Sequence, residues 1–207
     1  MAGILSRARA IINAEAEAMQ RIPLDESFEK AVEVILACRG KVITTGMGKA
    51  GTIARKIAGT FSSTGTPAAF LHPGEAAHGD LGLLDKGDVV LAFSTSGKTR
   101  EVIEMLELAH HFGVARIIGI TSHPDSAIHR LCSIVINMGT IQEPCPLGLT
   151  PSASTAVMLA LGDALSLVVM EQRGFTREQY GLRHHAGYLG QKARQTDLGE
   201  LGELGSG

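Results

Sequence analysis

The residues Thr44-Thr45-Gly46-Met47-Gly48-Lys49-Ala50-Gly51 read TTGMGKAG, and their glycines carry the G-x-G-x-x-G spacing of a dinucleotide-binding turn. That spacing points to a nucleotide only when a strand precedes it, a helix follows it and an acidic residue stands about 20 positions further on. The apolar run KVITT from Lys41 precedes it as a strand, and residues from Ala50 to Ser63 follow as a helix. The acidic residue is missing. The next strand ends in FLHPGE, so His72 holds the place of a ribose-binding carboxylate and Glu75 lies beyond a Pro-Gly break. A Walker A loop fails as well, because Ala50 follows Gly48-Lys49 and no glycine stands at the required earlier position. NAD becomes the minority reading, and no nucleoside triphosphate is indicated.

Outward from this turn, short apolar runs alternate with helical segments. AAFLH from Ala68, DVVLAFST from Asp88, ARIIGITS from Ala115 and SIVINMG from Ser133 read as buried strands. Helices are predicted near Ala50–Ser63, Arg100–Phe112 and Ser126–Leu131, with a long final helix after Pro151. Strands separated by helices imply right-handed crossovers and a parallel sheet. The predicted fold is α/β, a doubly wound five-stranded parallel sheet flanked by helices, Rossmann-like, with N-terminal helices. Ahead of the sheet, Ile4, Leu5, Ala8, Ile11, Ile12, Ala16, Met19 and Ile22 recur at helical spacing up to Pro23. A second helix starts near Asp25 or Ser27, buries Phe28, Val32, Ile35 and Leu36, and stops at Gly40 as its C-terminal cap. Residues 1–40 are thus read as helices of the same domain, 41–190 as its main body, and 191–207 as a mobile tail.

Composition narrows the function classes. The 207 residues are 44% hydrophobic and 19% charged with a formal net charge of −2, which suits one well-buried core. No block of Lys or Arg offers a footprint for a nucleic-acid backbone or an anionic membrane. The apolar run from Ala156 to Met170 is interrupted by Gly162 and Asp163 and reads as a buried helix, short of the roughly 20 residues of a membrane span. The first twenty residues lack the apolar stretch and cleavage site of a signal peptide. Cys38, Cys132 and Cys145 have no CxxC spacing and an odd count, which suits reduced thiols and a cytoplasmic protein.

In a doubly wound sheet the site lies at the carboxyl ends of the strands. There the third strand ends in Ser94-Thr95-Ser96-Gly97-Lys98-Thr99, hydroxyls and backbone N–H groups opening a helix, a donor cluster suited to one phosphate. A solvated N-cap is the plainer alternative, but Ser94, Ser96 and Thr99 around a glycine exceed what one cap needs. The long loop HPGEAAHGDLGLLDKGD carries Glu75, His78 and Asp80; His78 is a candidate proton carrier, whereas His72 beside Pro73 reads as structural. QEPCPLGLTPSAST places Glu143 after the fifth strand, and LRHHAGYLG puts His184 and His185 on a later turn. His72 and His78 lack the close spacing of a metal-ligand motif, so no metal is expected.

Together, TTGMGKAG, HPGEAAHGDLG, STSGKTRE, EPCPLGLTPSAST and LRHHAGYLG resemble the SIS (sugar isomerase) family, specifically its D-arabinose 5-phosphate isomerases, from about Ala31 to Gly190. The resemblance implies an isomerase that interconverts D-ribulose 5-phosphate and D-arabinose 5-phosphate by way of an enediolate, feeding synthesis of the eight-carbon acid Kdo. It implies a homotetramer with no organic cofactor. By motif, Ser94, Thr95, Ser96 and Thr99 would hold the phosphate, and Thr45, Gly46 and Gly48 would form the substrate-binding loop. Lys49, His78, Glu101, Glu143 and His184 would be the catalytic polar groups, with His184 entering from a neighbouring subunit. Glu143, or after it His78, is the expected proton shuttle, helped by burial lifting a carboxylate toward a pKa of ~6–7. Lys49 would stabilise the oxyanion. The sequence departs from the family in three places. It ends shortly after HHAGYLG where many members continue into paired CBS modules, so regulation through such modules is not expected. His184-His185-Ala186-Gly187 stands where HPGG is common, and Lys98 where Glu is common. A non-catalytic sugar-phosphate sensor is the rival, although residues 1–40 show no basic recognition helix.

Overall fold

The computed structural model describes residues 3–185 together with 188, 190, 192 and 193. Five apolar runs form β1 (Val42–Gly46), β2 (Ala68–Phe70), β3 (Val89–Phe93), β4 (Arg116–Thr121) and β5 (Ile134–Asn137). All pair in parallel in the order β2-β1-β3-β4-β5. The order reverses between β1 and β3, and the crevice at such a switch point is where open α/β sheets take ligands.

The strands read as unbroken apolar runs because both sheet faces are covered. Val42, Val89, Leu91, Phe93, Ile118 and Ile120 point into one core, and Ile43, Val90, Ala92 and Ile117 point into the other. The first core is closed by helices α1 (Ile4–Gln20), α2 (Glu26–Leu36), α3 (Gly48–Ser63) and α6 (Ala153–Gln172). The second is closed by α4 (Pro73–Ala76) and α5 (Arg100–His111), and a further helix, α7 (Arg177–Arg183), follows α6.

Several boundaries differ from the sequence reading. Asp25 caps α2 by accepting the Ser27 N–H at 2.8 Å, but the helix ends at Leu36 and Gly40 is not its cap. Gly40 is needed instead for close approach, since a Cβ there would lie 2.2 Å from Oδ1 of Asp88. The segment read as one long loop folds into α4 and a 3₁₀ turn at Asp80–Leu83, and the helix predicted at Ser126–Leu131 is a 3₁₀ turn, Ala127–Leu131. Neither Gly162 nor Asp163 interrupts α6, which is continuous over 20 residues and long and apolar enough to cross a bilayer by length and composition. Half of that stretch is buried against the rest of the fold. Gly162 is where α3 comes closest, because a Cβ there would meet Ile57 at 2.6 Å. The tail from Gln191 lies outside the described residues except for 192 and 193.

Candidate active site

The glycines of TTGMGKAG have distinct geometric tasks. A Cβ on Gly51 would lie 2.4 Å from the carbonyl oxygen of Gly46, so the two glycines let the first turn of α3 pack directly on the end of β1. Gly48 has φ 58°, a left-handed conformation that glycine adopts without a Cβ penalty. The motif is therefore a tight strand-to-helix junction. It leaves Thr45 fully buried with its hydroxyl unpartnered. An unpaired buried hydroxyl costs about 1–3 kcal/mol, and Thr45 is not alone. His72 Nδ1, Ser122 Oγ and Ser126 Oγ are likewise buried without partners, and all of these groups stand at the carboxyl edge of the sheet. Such a concentration of unmet hydrogen-bonding capacity is what a ligand site needs.

The turn from β3 into α5 has the donor character its sequence predicts. Ser94 is 2% exposed, accepts the Gly97 N–H at 3.1 Å, and lies 2.9 Å from the hydroxyl of Thr99. Ser96 Oγ accepts the Lys98 N–H at 3.2 Å. Gly97 sits at φ 61°, and a Cβ there would lie 1.9 Å from Ser126 Oγ, so the turn is pressed against the loop after β4. Thr121 fastens the same two loops by donating from Oγ1 to the Thr95 carbonyl at 3.1 Å.

Glu143 is seated on the N-terminus of α6. Oε2 accepts the N–H of Ser152 at 2.8 Å and of Ala153 at 2.9 Å, while Oε1 accepts that of Ser154 at 3.2 Å. Partial burial pushes its carboxyl up, but the Ser154 hydroxyl and the amides of Ser152, Ser154 and Ala153 outweigh it, and the group ends below the ordinary carboxylate range. This corrects the expectation that burial lifts Glu143 toward neutrality. It is a pinned, ionised carboxylate, with Oε1 less engaged by backbone donors than Oε2.

A cavity of about 370 Å³ joins the two halves, lined by Thr95, Ser122, His123, Thr140, Glu143 and Ser154 among others. A second, of about 650 Å³, lies on the other side of Glu143 against α1. The remaining predicted groups are more dispersed. Lys49 is exposed in the first turn of α3, Glu101 is half-buried in the first turn of α5, and His78 is exposed just after α4, its N–H donating to the Glu75 carbonyl at 2.9 Å. No hydrogen bond or ion pair links Lys49, His78 or Glu101 to Glu143 among the described residues. His184 stacks on Tyr180 with ring centroids 3.8 Å apart and its Nδ1 lies 3.0 Å from the Tyr180 carbonyl, so both contacts are within its own helix region. Ala186 and Gly187 of the altered turn lie outside the described residues. No group of three or more potential metal ligands is gathered among the described residues.

Sequence reasoning missed Ser122 and His123, which line the cavity beside Thr95. A signal was available, since TSHPDS follows β4 at the same carboxyl edge as the loops already singled out. It also missed Glu15 and Ser152, whose contact at 2.5 Å joins residues 137 positions apart and leaves no mark in local sequence.

The pattern that defines the SIS domain matches residues 35–168. The chain is 43% identical over 182 residues to the arabinose 5-phosphate isomerase KdsD of Pseudomonas aeruginosa, covering 87% of this chain and 56% of that protein. The Escherichia coli K12 protein of the same name is 43% identical, with 87% and 55% covered. The chain thus spans little more than half the length of these relatives. Among solved structures, an Escherichia coli CFT073 protein in complex with arabinose 5-phosphate superposes with a TM-score of 0.84 at 38% identity, covering 87% of this chain and 97% of that one. A Bacteroides fragilis structure, described as a phosphosugar isomerase involved in capsule formation, gives 0.87 at 45%, covering 90% and 100%.

Proposed function

Because this chain belongs to the SIS domain family, we propose that it is an aldose–ketose isomerase of phosphosugars, interconverting D-ribulose 5-phosphate and D-arabinose 5-phosphate. The observation that carries the reading is the cavity lined by both Thr95 of the hydroxyl turn and Glu143, which supports one ligand reaching both a phosphate-binding turn and a carboxylate. The identity to KdsD proteins and the likeness to a structure holding arabinose 5-phosphate support the choice of sugar.

The chemistry follows from what each group offers. The phosphate docks on the N–H groups and hydroxyls of Ser94–Thr99 at the start of α5, where the helix dipole favours an anion. With the phosphate end fixed, Glu143 takes the proton from C1 of the ketose through Oε1, an enediolate forms across C1 and C2, the hydroxyl proton passes from the C1 oxygen to the C2 oxygen, and Glu143 returns its proton at C2 to give the aldose. A positioned base of this kind supplies about 10²–10⁴-fold. Lys49, at the switch point between β1 and β3, is the cation for the developing oxyanion. The same reading includes a homotetramer in which His184 of one subunit serves its neighbour, no organic cofactor, and a cytoplasmic location suggested by three free cysteines.

The amide bonds that depress Glu143 favour one second reading, in which Glu143 only caps α6 and the protein binds phosphosugars without isomerising them or uses His78 as base. Incubation with a panel of pentose, hexose and heptose phosphates, following aldose–ketose conversion and hydrogen exchange at C2 in heavy water, separates the readings. Conversion of D-ribulose 5-phosphate is expected. Binding of the panel without conversion of any member would overturn the isomerase.

A further inference from the structure

Helix α1 lies outside the sheet and buries none of its residues fully, yet it makes two polar contacts that bracket Glu143. Arg7 Nη2 donates to the carbonyl of Pro144, the residue directly after Glu143. Glu15 Oε1 accepts from the hydroxyl of Ser152 at 2.5 Å, and the backbone N–H of that same Ser152 donates to Glu143 Oε2 at 2.8 Å. Ser152 thus stands between two carboxylates, its hydroxyl turned to Glu15 and its amide to Glu143. One helix thereby grips the loop from β5 to α6 at both ends of the segment that joins Glu143 to the α6 amides it accepts from.

The segment needs such a grip. Between Pro144 and Ser152 the chain runs through PCPLGLTP, with Leu147 and Leu149 both 76% exposed and no helix or strand before α6. Without α1, the carboxylate would keep the α6 amides, but the loop that joins it to them would have no anchor from that side. From this geometry we propose that α1 is a latch, with Arg7 and Glu15 as positioning residues that hold the Glu143 carboxylate against the α6 N-terminus in its working orientation. The proposal rests on Glu143 acting in the isomerisation. Glu15 and Arg7 touch no substrate and act only through Ser152 and Pro144.

A latch of this kind has a signature that packing alone lacks. The amides of Ser152 to Ser154 stabilise the ionised form of Glu143, so loosening them raises its pKa and moves the acid limb of kcat/KM to higher pH. Removing a negative charge nearby while keeping the contact acts in the opposite sense. Among the described residues, the charged and titratable groups around Glu143 are Arg7, Glu15, Glu17 and Arg21 from α1, Cys145 on its own loop, and His123 after β4. Changing Glu15 leaves the others in place.

The test uses the full chain with Glu15→Ala, Glu15→Gln and Glu143→Gln, measuring kcat, KM and pH profiles on D-arabinose 5-phosphate. Deuterium uptake of the peptide spanning 150–155 is measured on each variant. Glu15→Ala is expected to lower kcat about 10-fold with KM within about 2-fold, since even a 1 Å misplacement costs up to about 10²-fold. Its acid limb should lie above that of Glu15→Gln, which removes the same charge but keeps the contact, and its amides 152–154 should exchange faster. Glu15→Gln keeps an acceptor for Ser152, so it should restore kcat and amide protection with the acid limb unmoved or lower. Parent kcat and parent protection in Glu15→Ala would overturn the latch. So would equal losses in the Ala and Gln variants with no shift in the acid limb. If Glu143→Gln retains hydrogen exchange at C2 at the parent rate, the base assignment is what fails, and the amide exchange alone then decides for or against the latch.

Discussion

The hydroxyls of Ser94 and Thr99 lie 2.9 Å apart, closing the turn between β3 and α5 on itself. A hydroxyl has one donor and two acceptor sites. Ser94 spends one acceptor site on the Gly97 N–H, and the pair shares one hydrogen, so Ser94 and Thr99 together keep a single O–H to offer outward. Ser96 keeps its own, because its Oγ only accepts, from Lys98. The turn is therefore part scaffold and part ligand contact, and the two serines have different work.

Ser96→Ala should weaken phosphosugar binding by about 1.5–3 kcal/mol, the worth of a hydrogen bond to a charged group, and leave the melting temperature unchanged. Ser94→Ala should weaken binding and also destabilise the fold by about 0.5–1.5 kcal/mol, because it removes the hydroxyl bond to Thr99 and one of the two acceptors of the Gly97 N–H, which keeps the Ser94 carbonyl at 3.1 Å. Calorimetric titration with the sugar phosphate, alongside thermal unfolding, reads both. Parent affinity in Ser96→Ala would remove that serine from the site.

Glu143→Gln keeps shape while removing the base, and should lower kcat at least ~10²-fold with KM little changed. It should also change acid stability. A carboxyl held below its ordinary value contributes stability that is fully present above about pH 4.3, its unfolded range, and is lost as pH falls through the folded value. Urea unfolding from pH 7 to pH 3 should therefore show a shallower decline in the variant. An unaltered pH slope would contradict the hydrogen-bonded, ionised state.

The cysteines should separate sharply in reactivity. Cys145 Sγ accepts N–H groups from Thr150 at 3.2 Å and Leu149 at 3.3 Å, and these bonds, Thr150 foremost, bring its pKa down to about 7. Burial pushes Cys132 up to about 12. Iodoacetamide at pH 7.5 should label Cys145 while Cys132 stays unmodified until the protein unfolds, since the thiolate is the nucleophile. Equal rates at the two positions, read by mass spectrometry, would count against the loop geometry.

Asp88 fastens the bottom of the sheet. Its carboxylate, fully buried, accepts the Lys41 N–H at 2.9 Å, the Lys41 ammonium at 2.8 Å and the Asp85 N–H at 2.9 Å. Asp88→Ala should cost about 3 kcal/mol, since two backbone donors lose their acceptor at roughly 1–3 kcal/mol each. Denaturant unfolding giving less than about 1 kcal/mol would show that water replaces the carboxylate.

Much of this protein was legible along the chain because the governing interactions are local or periodic. The five strand runs announced a sheet buried on both faces, and Asp25 and Pro23 marked a helix start and a helix end within a residue or two. The SIS motifs identified a family whose domain pattern covers residues 35–168. Where the reading failed, the deciding contact was distant. Gly40 resembled a helix cap, but its lack of a side chain answers to Asp88, just before β3 and two crossovers away. The helix expected after Pro151 does run unbroken through Gly162 and Asp163, but that Gly162 gives room to Ile57 of α3 was not legible in the chain.

The sequence by itself determined the α/β architecture, the hydroxyl turn at Ser94–Thr99 and the presence of Glu143 after β5, since periodicity and residue type carry that information. Only the tertiary structure decided the state of Glu143. Its carboxylate meets amides nine to eleven residues later and, through Ser152, a helix 137 residues earlier. The role of proton shuttle suggested a pKa raised by burial, but a carboxyl's protonation depends on which donors the fold brings to it. Those donors reach it only where the start of α6 folds back onto the chain that leaves β5.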